Sequence, residues 1–347
     1  MIEIQVARNA IGEAEAVTRT AVLEPGQALF AVEHFAMTAN NVTYAVHGVD
    51  FGYWNFWPAP EGKGIVPVWG FGRVVESRVD GLVEGARYYG YWPMASHAVL
   101  QVGKLSARGF DDVSPHRAEL AAVYNRYVPA DDAMGDEAVQ ALFRPLFTTA
   151  FALDAMLAER EAVLVLASAS SKTALGLAML ARARGKRVIG LTGAANKGFC
   201  RDTAYYDLVL GYEEVEALGE ERGPAALVDM AGNGRVRADV HAAMGERLSA
   251  VHVVGDTHWD VLAADLTQGP EPQYFFAPTV IAERVAEWGS AGFEARLGAA
   301  WAAFAGSLGW LEVRRVDGTQ AVIEGWTALV EGRIDPRHGL VAGLAAA

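Results

Sequence analysis

The spacing of apolar positions changes character near residue 144. Before it, runs such as Ala28–Phe35 and Gly72–Ser77 have the composition of strands, and frequent Gly and Pro residues interrupt them, which predicts a β-rich barrel or sandwich. Phe51, Tyr53, Trp54, Phe56 and Trp57 crowd beside prolines between Phe51 and Pro60, which suits a loop bearing large rings. That loop reads equally as a satellite hydrophobic cluster or as the wall of a substrate pocket.

After residue 144, short apolar runs alternate with helical stretches. Ala162–Ala167 reads as a strand, Lys172–Arg184 as a helix stopped by Gly185, and Arg187–Leu191 as a second strand, together one βαβ unit. Leu208–Leu210, Ala226–Met230 and Ser249–Val254 continue the series, which implies a parallel, doubly wound sheet. Towards the end, Glu294–Leu308 and Thr319–Glu331 read as amphipathic helices, Leu311–Val316 as a strand between them, and Leu340–Leu344 as an apolar terminus.

Composition narrows the possibilities. A chain of 347 residues with 52% hydrophobic content suits two domains rather than one core. A formal charge of -13 opposes sequence-independent binding to nucleic acid, since its field repels phosphate. No apolar run reaches the roughly 20 residues that span a bilayer, and Met1-Ile2-Glu3-Ile4-Gln5 is not a basic segment leading into an apolar one, so the expectation is a cytoplasmic protein that does not cross a membrane. The single cysteine, Cys200, reads as a small core or loop residue. His34, His47, His97, His116, His241, His252, His258 and His338 show none of the spacings of a zinc site.

The candidate chemistry lies in Ala167-Ser168-Ala169-Ser170-Ser171-Lys172-Thr173-Ala174, between the first apolar strand and its helix. A dinucleotide pyrophosphate requires a tight turn there, small side chains and amides exposed at a helix N-terminus. GxGxxG is absent, but Ala169, Ser171 and Ala174 take the three glycine positions. Ser168, Ser170 and Ser171 add hydroxyls and Lys172 a cation; lysine opposes the helix dipole at this end unless an anion accompanies it. The same residues also read as an ordinary N-cap. A P-loop requires glycines at Leu166 and Ser171 and fails at both. After the second strand, Leu191-Thr192-Gly193-Ala194-Ala195-Asn196-Lys197 contains no carboxylate to hold ribose hydroxyls. Thr192, Asn196 and Lys197 would accept a 2′-phosphate, so NADP(H) is expected over NAD(H), with Lys197 as a solvated helix residue the alternative.

The order of parts resembles the medium-chain dehydrogenase/reductase superfamily, on its zinc-free side with quinone oxidoreductases and enoyl reductases. The resemblance rests on Asn40-Asn41-Val42-Thr43-Tyr44, on Pro67 to Val75, on Gly85-Ala86-Arg87-Tyr88-Tyr89-Gly90 and on Pro145 to Phe151. It implies an α/β fold with a GroES-like catalytic domain at 1–143, completed by about 310–347, and a Rossmann-type NADP(H)-binding domain at 144–309. Thr149 and Gly255 complete the candidate cofactor residues. Phe71 and Gly72 stand where zinc enzymes carry a His-Glu pair, and no cysteine cluster exists to hold a structural zinc. The serine-rich turn marks an outlying family of the superfamily.

By the same resemblance, reduction of a conjugated carbonyl would pair a nicotinamide hydride with a proton donor. Tyr44 is the candidate donor and Asn41 its orienting partner; packing within the barrel is the other role open to Tyr44. Tyr53, Trp54, Tyr91 and Trp92 are candidate pocket walls, suited to a small hydrophobic or planar electrophile such as an enone, a quinone or an enoyl thioester. A self-pairing edge strand of the cofactor domain would give a homodimer. The alternative is a catalytically inactive NADPH-binding scaffold or partner protein.

Overall fold

In the computed structural model, residues 1–158, 162–255 and 269–344 are described. The chain divides into two compact units, Met1–Arg144 with Leu311–Ala347, and Pro145–Trp310. Strand-forming residues dominate the first unit. Strand Gln27–Met37 pairs with Pro67–Ser77, and the ladder continues through Arg87–Pro93, Arg126–Pro129, Gly109–Asp112 and His97–Ser106, which returns to Gln27–Met37 and closes a barrel. Closure leaves these strands without a free edge. His338–Gly343 adds antiparallel to the far end of Gln27–Met37 and pairs in parallel with Glu312–Asp317. The helix between those two strands, Thr319–Val330, buries Trp326 completely, and the indole N–H donates to the Ile11 carbonyl at 2.6 Å.

Phe30, Trp92, Phe110 and Tyr127 fill the barrel, with ring centroids 4.7 to 5.5 Å apart. Gly72 makes this filling possible, because a Cβ there would lie 2.7 Å from the Trp92 ring. Phe71 is fully buried against His34 and Tyr89. The Phe71-Gly72 pair therefore serves packing on both faces of its strand.

One stretch of this unit departs from the irregular, strand-like reading: residues Ala39–Val46 form a helix. Thr38 and Asn41 form a capping box, with the Thr38 amide donating to Asn41 Oδ1 at 2.7 Å, and this reciprocal closure starts the helix.

His34 places a titratable ring in this wall, with Nε2 3.4 Å from a Glu137 carboxylate oxygen. Burial lowers its pKa from the ordinary value; Glu137 and Glu33 oppose that shift, while Arg315 and Arg87 reinforce it. The ring is therefore held neutral, and as pH falls below its unfolded value of about 6.5 the unfolded chain gains the proton first. Stability contributed by the neutral ring is lost in that direction. Lowering the pH from about 7 to about 5 is expected to reduce Tm more in the wild type than in His34→Gln; parallel declines would show that the acid sensitivity originates elsewhere.

The second unit carries a parallel sheet of β1 (Val163–Ala167), β2 (Arg187–Thr192), β3 (Leu208–Gly211), β4 (Ala225–Asp229), β5 (Leu248–Val253) and β6 (Pro272–Tyr274), in the order β3-β2-β1-β4-β5-β6. That order reverses direction beside β1, which opens a crevice at the carboxyl ends of the central strands. The expected helix after β1 runs Lys172–Ala183, and Gly185 follows it with φ +78°. Helices Glu137–Leu157 and Ser290–Ala305 also bury rings in this unit, with Phe147 stacked on Phe304 at 4.7 Å. No helix among the described residues is long and apolar enough to cross a membrane.

Candidate functional site

At the crevice of the second unit, β1 ends at Ala167 and the chain turns through Ser168, whose φ of +58° is left-handed. A side chain in that region is strained by roughly 1 kcal/mol or more unless its surroundings hold it. The Ser171 amide donates to the Ser168 carbonyl at 2.8 Å, and Ser168 Oγ lies 3.2 Å from the Tyr212 hydroxyl. Ala169 lies under the turn, its amide donating to the Leu191 carbonyl and its own carbonyl accepting from the Tyr206 hydroxyl at 2.6 Å. A Cβ on Gly190 would come within 2.8 Å of Ala169 Cβ, so the small residues that the sequence places here permit close packing of turn and strand.

Ser171 caps the helix, its Oγ accepting from the Ala174 amide at 3.2 Å, and Lys172 and Thr173 form the first turn. The amides at such an end point out of the helix. The serine-rich segment is thus an N-cap within a tight strand-to-helix turn at the end of β1. Ser170 faces the end of β2: its Oγ accepts from Asn196 Nδ2 at 3.2 Å and from the Thr192 hydroxyl at 3.4 Å. Ser170, Thr192 and Asn196 therefore form one polar cluster.

Lys197 opens the next helix, Lys197–Asp202, with its side chain 16% exposed. Its ammonium pairs with Glu214 from the segment after β3, and the same Glu214 oxygen accepts from the Gly211 amide at 2.8 Å. Lys197 and the Gly211 amide hold the Glu214 carboxyl below the usual range. Sequence reasoning missed Glu214, Tyr212 and Tyr206. The spacing Gly211-x-x-Glu214 directly after an apolar run was the available signal for the first of these.

On the other side of β1, Asp229 ends β4 fully buried. Its Oδ1 accepts from the Ala231 and Gly232 amides, each at 3.0 Å, and Oδ2 pairs with Arg237 at 2.7 Å. Asn233 then caps the helix Gly234–Met244. Gly255 follows β5, and Thr149 lies in the helix Glu137–Leu157 with its hydroxyl donating to the Pro145 carbonyl at 3.1 Å. Cys200 is buried, and burial pushes its thiol up to about 12.

In the first unit, Tyr44 stands in a packed group of rings. Its hydroxyl accepts from Trp69 Nε1 at 3.1 Å, and Tyr53 and Tyr91 lie 4.6 and 5.5 Å from its ring. Tyr124 completes the group, 4.7 Å from Tyr91, with its hydroxyl 3.3 Å from that of Tyr53. Burial is the main cause of a raised Tyr44 pKa, with the neighbouring Tyr53 adding to it. Asn41 is committed to the backbone, accepting from the Thr38 amide and donating to the Pro67 carbonyl at 2.9 Å.

The four expected wall residues separate. Tyr53 and Tyr91 join Tyr44. Trp92 lies on the opposite face of its strand, in the barrel, with its indole N–H donating to the Gly70 carbonyl at 3.0 Å. Trp54 is buried where Gly48 and Gly64 make room for it. Tyr124, distant in sequence, was not among the candidates. Among the described residues, no three His, Cys, Asp or Glu side chains come together as a metal site.

The whole chain is similar in fold to several solved structures. CurA from Vibrio vulnificus in complex with NADPH superposes with a TM-score of 0.68 at 15% identity, covering 100% of both chains. Mycobacterial Rv1454c complexed with NADPH gives 0.65 at 14% identity over 99% of each chain. A putative NADPH:quinone reductase from Mesorhizobium loti gives 0.65 at 16% identity over 95% of this chain and 90% of that one. These structures share the fold of the chain, a β-rich unit with a parallel-sheet unit, as the sequence resemblance implied. No curated protein matches the sequence. By a family model matching residues 35–335, the chain belongs to the family described as "Protein of unknown function (DUF2855)".

Proposed function

We propose that this protein is an NADP(H)-dependent oxidoreductase that reduces an activated carbonyl, quinone or enoyl-type substrate without a metal Lewis acid. The observation that carries the reading is the turn Ser168–Ser171 at the reversal point of a β3-β2-β1-β4-β5-β6 sheet, where Ser171 caps a helix and Ser170 is tied to Thr192 and Asn196. A pyrophosphate fits the chemistry of this place: small residues, outward amides and hydroxyl donors. Ser168, Ser170, Ser171, Lys172 and Thr173 would hold it, while Thr192, Asn196 and Lys197 would take the adenosine 2′-phosphate. NADPH-bound relatives in fold support the cofactor assignment.

When bound, NADPH supplies a hydride. Tyr44 would hold the proton for the substrate, and the packed rings of Tyr53, Tyr91 and Tyr124 would exclude water around its hydroxyl. Phe71 and Gly72, where zinc enzymes carry ligands, support the metal-free reading. A second reading, a protein that binds NADPH without turnover, draws support from the 4% exposure of Tyr44 and its engagement with Trp69.

Titration of the purified protein with NADPH and NADH, read by cofactor fluorescence, tests the assignment. NADPH is expected to bind more tightly, and Lys197→Ala to weaken it about tenfold, the scale of one charge-assisted hydrogen bond. Binding of neither cofactor would remove the proposal. Oxidation of bound NADPH by a panel of enones, quinones and enoyl thioesters separates the enzyme from the scaffold.

A further inference from the structure

The described side chains give the cofactor site one feature that an NADP(H) reading alone does not require: a carboxylate on the cation meant for the phosphate. Lys197 and Asn196 sit just beyond the end of β2, where a Rossmann sheet places the adenosine ribose. Glu214 reaches the same ammonium from the segment after β3, and a single oxygen serves both Lys197 and the Gly211 amide. Lys197 first, and then the Gly211 amide, lower the Glu214 pKa from the ordinary carboxylate value.

We infer that Glu214 is a specificity-determining residue that occupies Lys197 as an internal anion and so sets the discrimination between NADPH and NADH. This rests on the NADP(H) assignment and deepens it. A 2′-phosphate drawn to Lys197 meets a like charge already on that ammonium and must displace it or share it. A 2′-hydroxyl meets no such opposition, and the carboxylate is free to accept from it. Glu214 thus penalises NADPH selectively and narrows a preference that Lys197 alone would make wide.

The test compares Kd for NADPH and NADH in the wild type, Glu214→Gln and Glu213→Gln. The glutamine keeps an oxygen for the Gly211 amide, so folding is preserved, and a circular dichroism melt verifies it. Glu213→Gln makes the same change in net charge one residue away and controls for the field of an acidic protein. Glu214→Gln is expected to tighten NADPH about tenfold while NADH stays within about twofold, and Glu213→Gln to change the ratio by less than about twofold. An unchanged NADPH/NADH ratio in Glu214→Gln, with both cofactors still bound, overturns the role of Glu214 and leaves the cofactor assignment intact. Weaker NADPH binding in Glu214→Gln also overturns it, because Glu214 would then be positioning Lys197 instead of competing for it. Binding of neither cofactor to any of the three proteins overturns the assignment itself and this inference with it.

Discussion

Asp229→Ala is expected to destabilise the second unit by about 3–5 kcal/mol, the scale of a buried ion pair broken from one side. Asp229 is fully buried and carries three hydrogen bonds, from Arg237 and from the Ala231 and Gly232 amides. Alanine leaves the Arg237 guanidinium, itself 10% exposed, without its carboxylate, and leaves the two turn amides without an acceptor. The loss in desolvated partners, more than the loss of Coulomb attraction, dominates the cost. A double variant, Asp229→Ala with Arg237→Leu, removes the stranded charge and is expected to recover part of the loss, so the two single effects will not add. Asp229→Asn is expected to fall between, since its oxygen still accepts from the two amides. Urea midpoints at constant m-value measure all of these. A loss under about 1 kcal/mol in Asp229→Ala would show that the buried pair is not what fixes the loop after β4.

The parts legible in the sequence were those with local physical causes. The run Val163–Ala167, the serine cap and Gly185 each announce an element boundary within a few residues, and the helix Lys172–Ala183 falls where they place it. The parallel, doubly wound character of the sheet was implied by the alternation of strand and helix, but its strand order was not. Helix Ala39–Val46 was not legible, because Thr38 and Asn41 do not follow the usual Ser/Thr-x-x-Glu form of a capping box. Distance in sequence explains most of the rest. Tyr124 meets Tyr53 across 71 positions, and nothing near residue 124 signals it. Trp92 and Tyr91 look equivalent as neighbours, yet the strand's two-residue period sends one into the barrel and the other to the Tyr44 group. Lys197 was visible as a cation, but its charge could be weighed only after Glu214 arrived from the next βα segment.

Tyr44→Phe is the second substitution expected to have a large effect, and its readout is kinetic. Burial, followed by the proximity of Tyr53, raises the Tyr44 pKa, so the phenol keeps its proton throughout the neutral and mildly alkaline range. The Trp69 indole N–H occupies the phenol oxygen as acceptor and leaves the phenol O–H to be directed elsewhere. A group in that state holds its proton and is not a base, and giving that proton up costs more than from an ordinary phenol, because burial disfavours the phenolate. On the reductase reading, Tyr44→Phe lowers kcat by about 100-fold or more, the scale of general acid catalysis, while Kd for NADPH stays within about twofold. The stability cost is expected to be small, about 1 kcal/mol, because the ring and its contacts with Tyr53 and Tyr91 remain. Tyr53→Phe is the matched control: it breaks the hydroxyl contact with Tyr124, keeps the ring, and leaves the Trp69 bond to Tyr44 in place. Its effect on kcat is expected to be under about tenfold. Equal turnover in the wild type and Tyr44→Phe would make Tyr44 a packing residue, and the proton would then have to come from another group. A raised pKa also fixes the sign of the pH profile. If Tyr44 is the donor, no alkaline fall in kcat arises from its ionisation near its ordinary value, so a limb of that kind, lost in Tyr44→Phe, would show the hydroxyl to be far less buried during turnover than in the folded protein at rest.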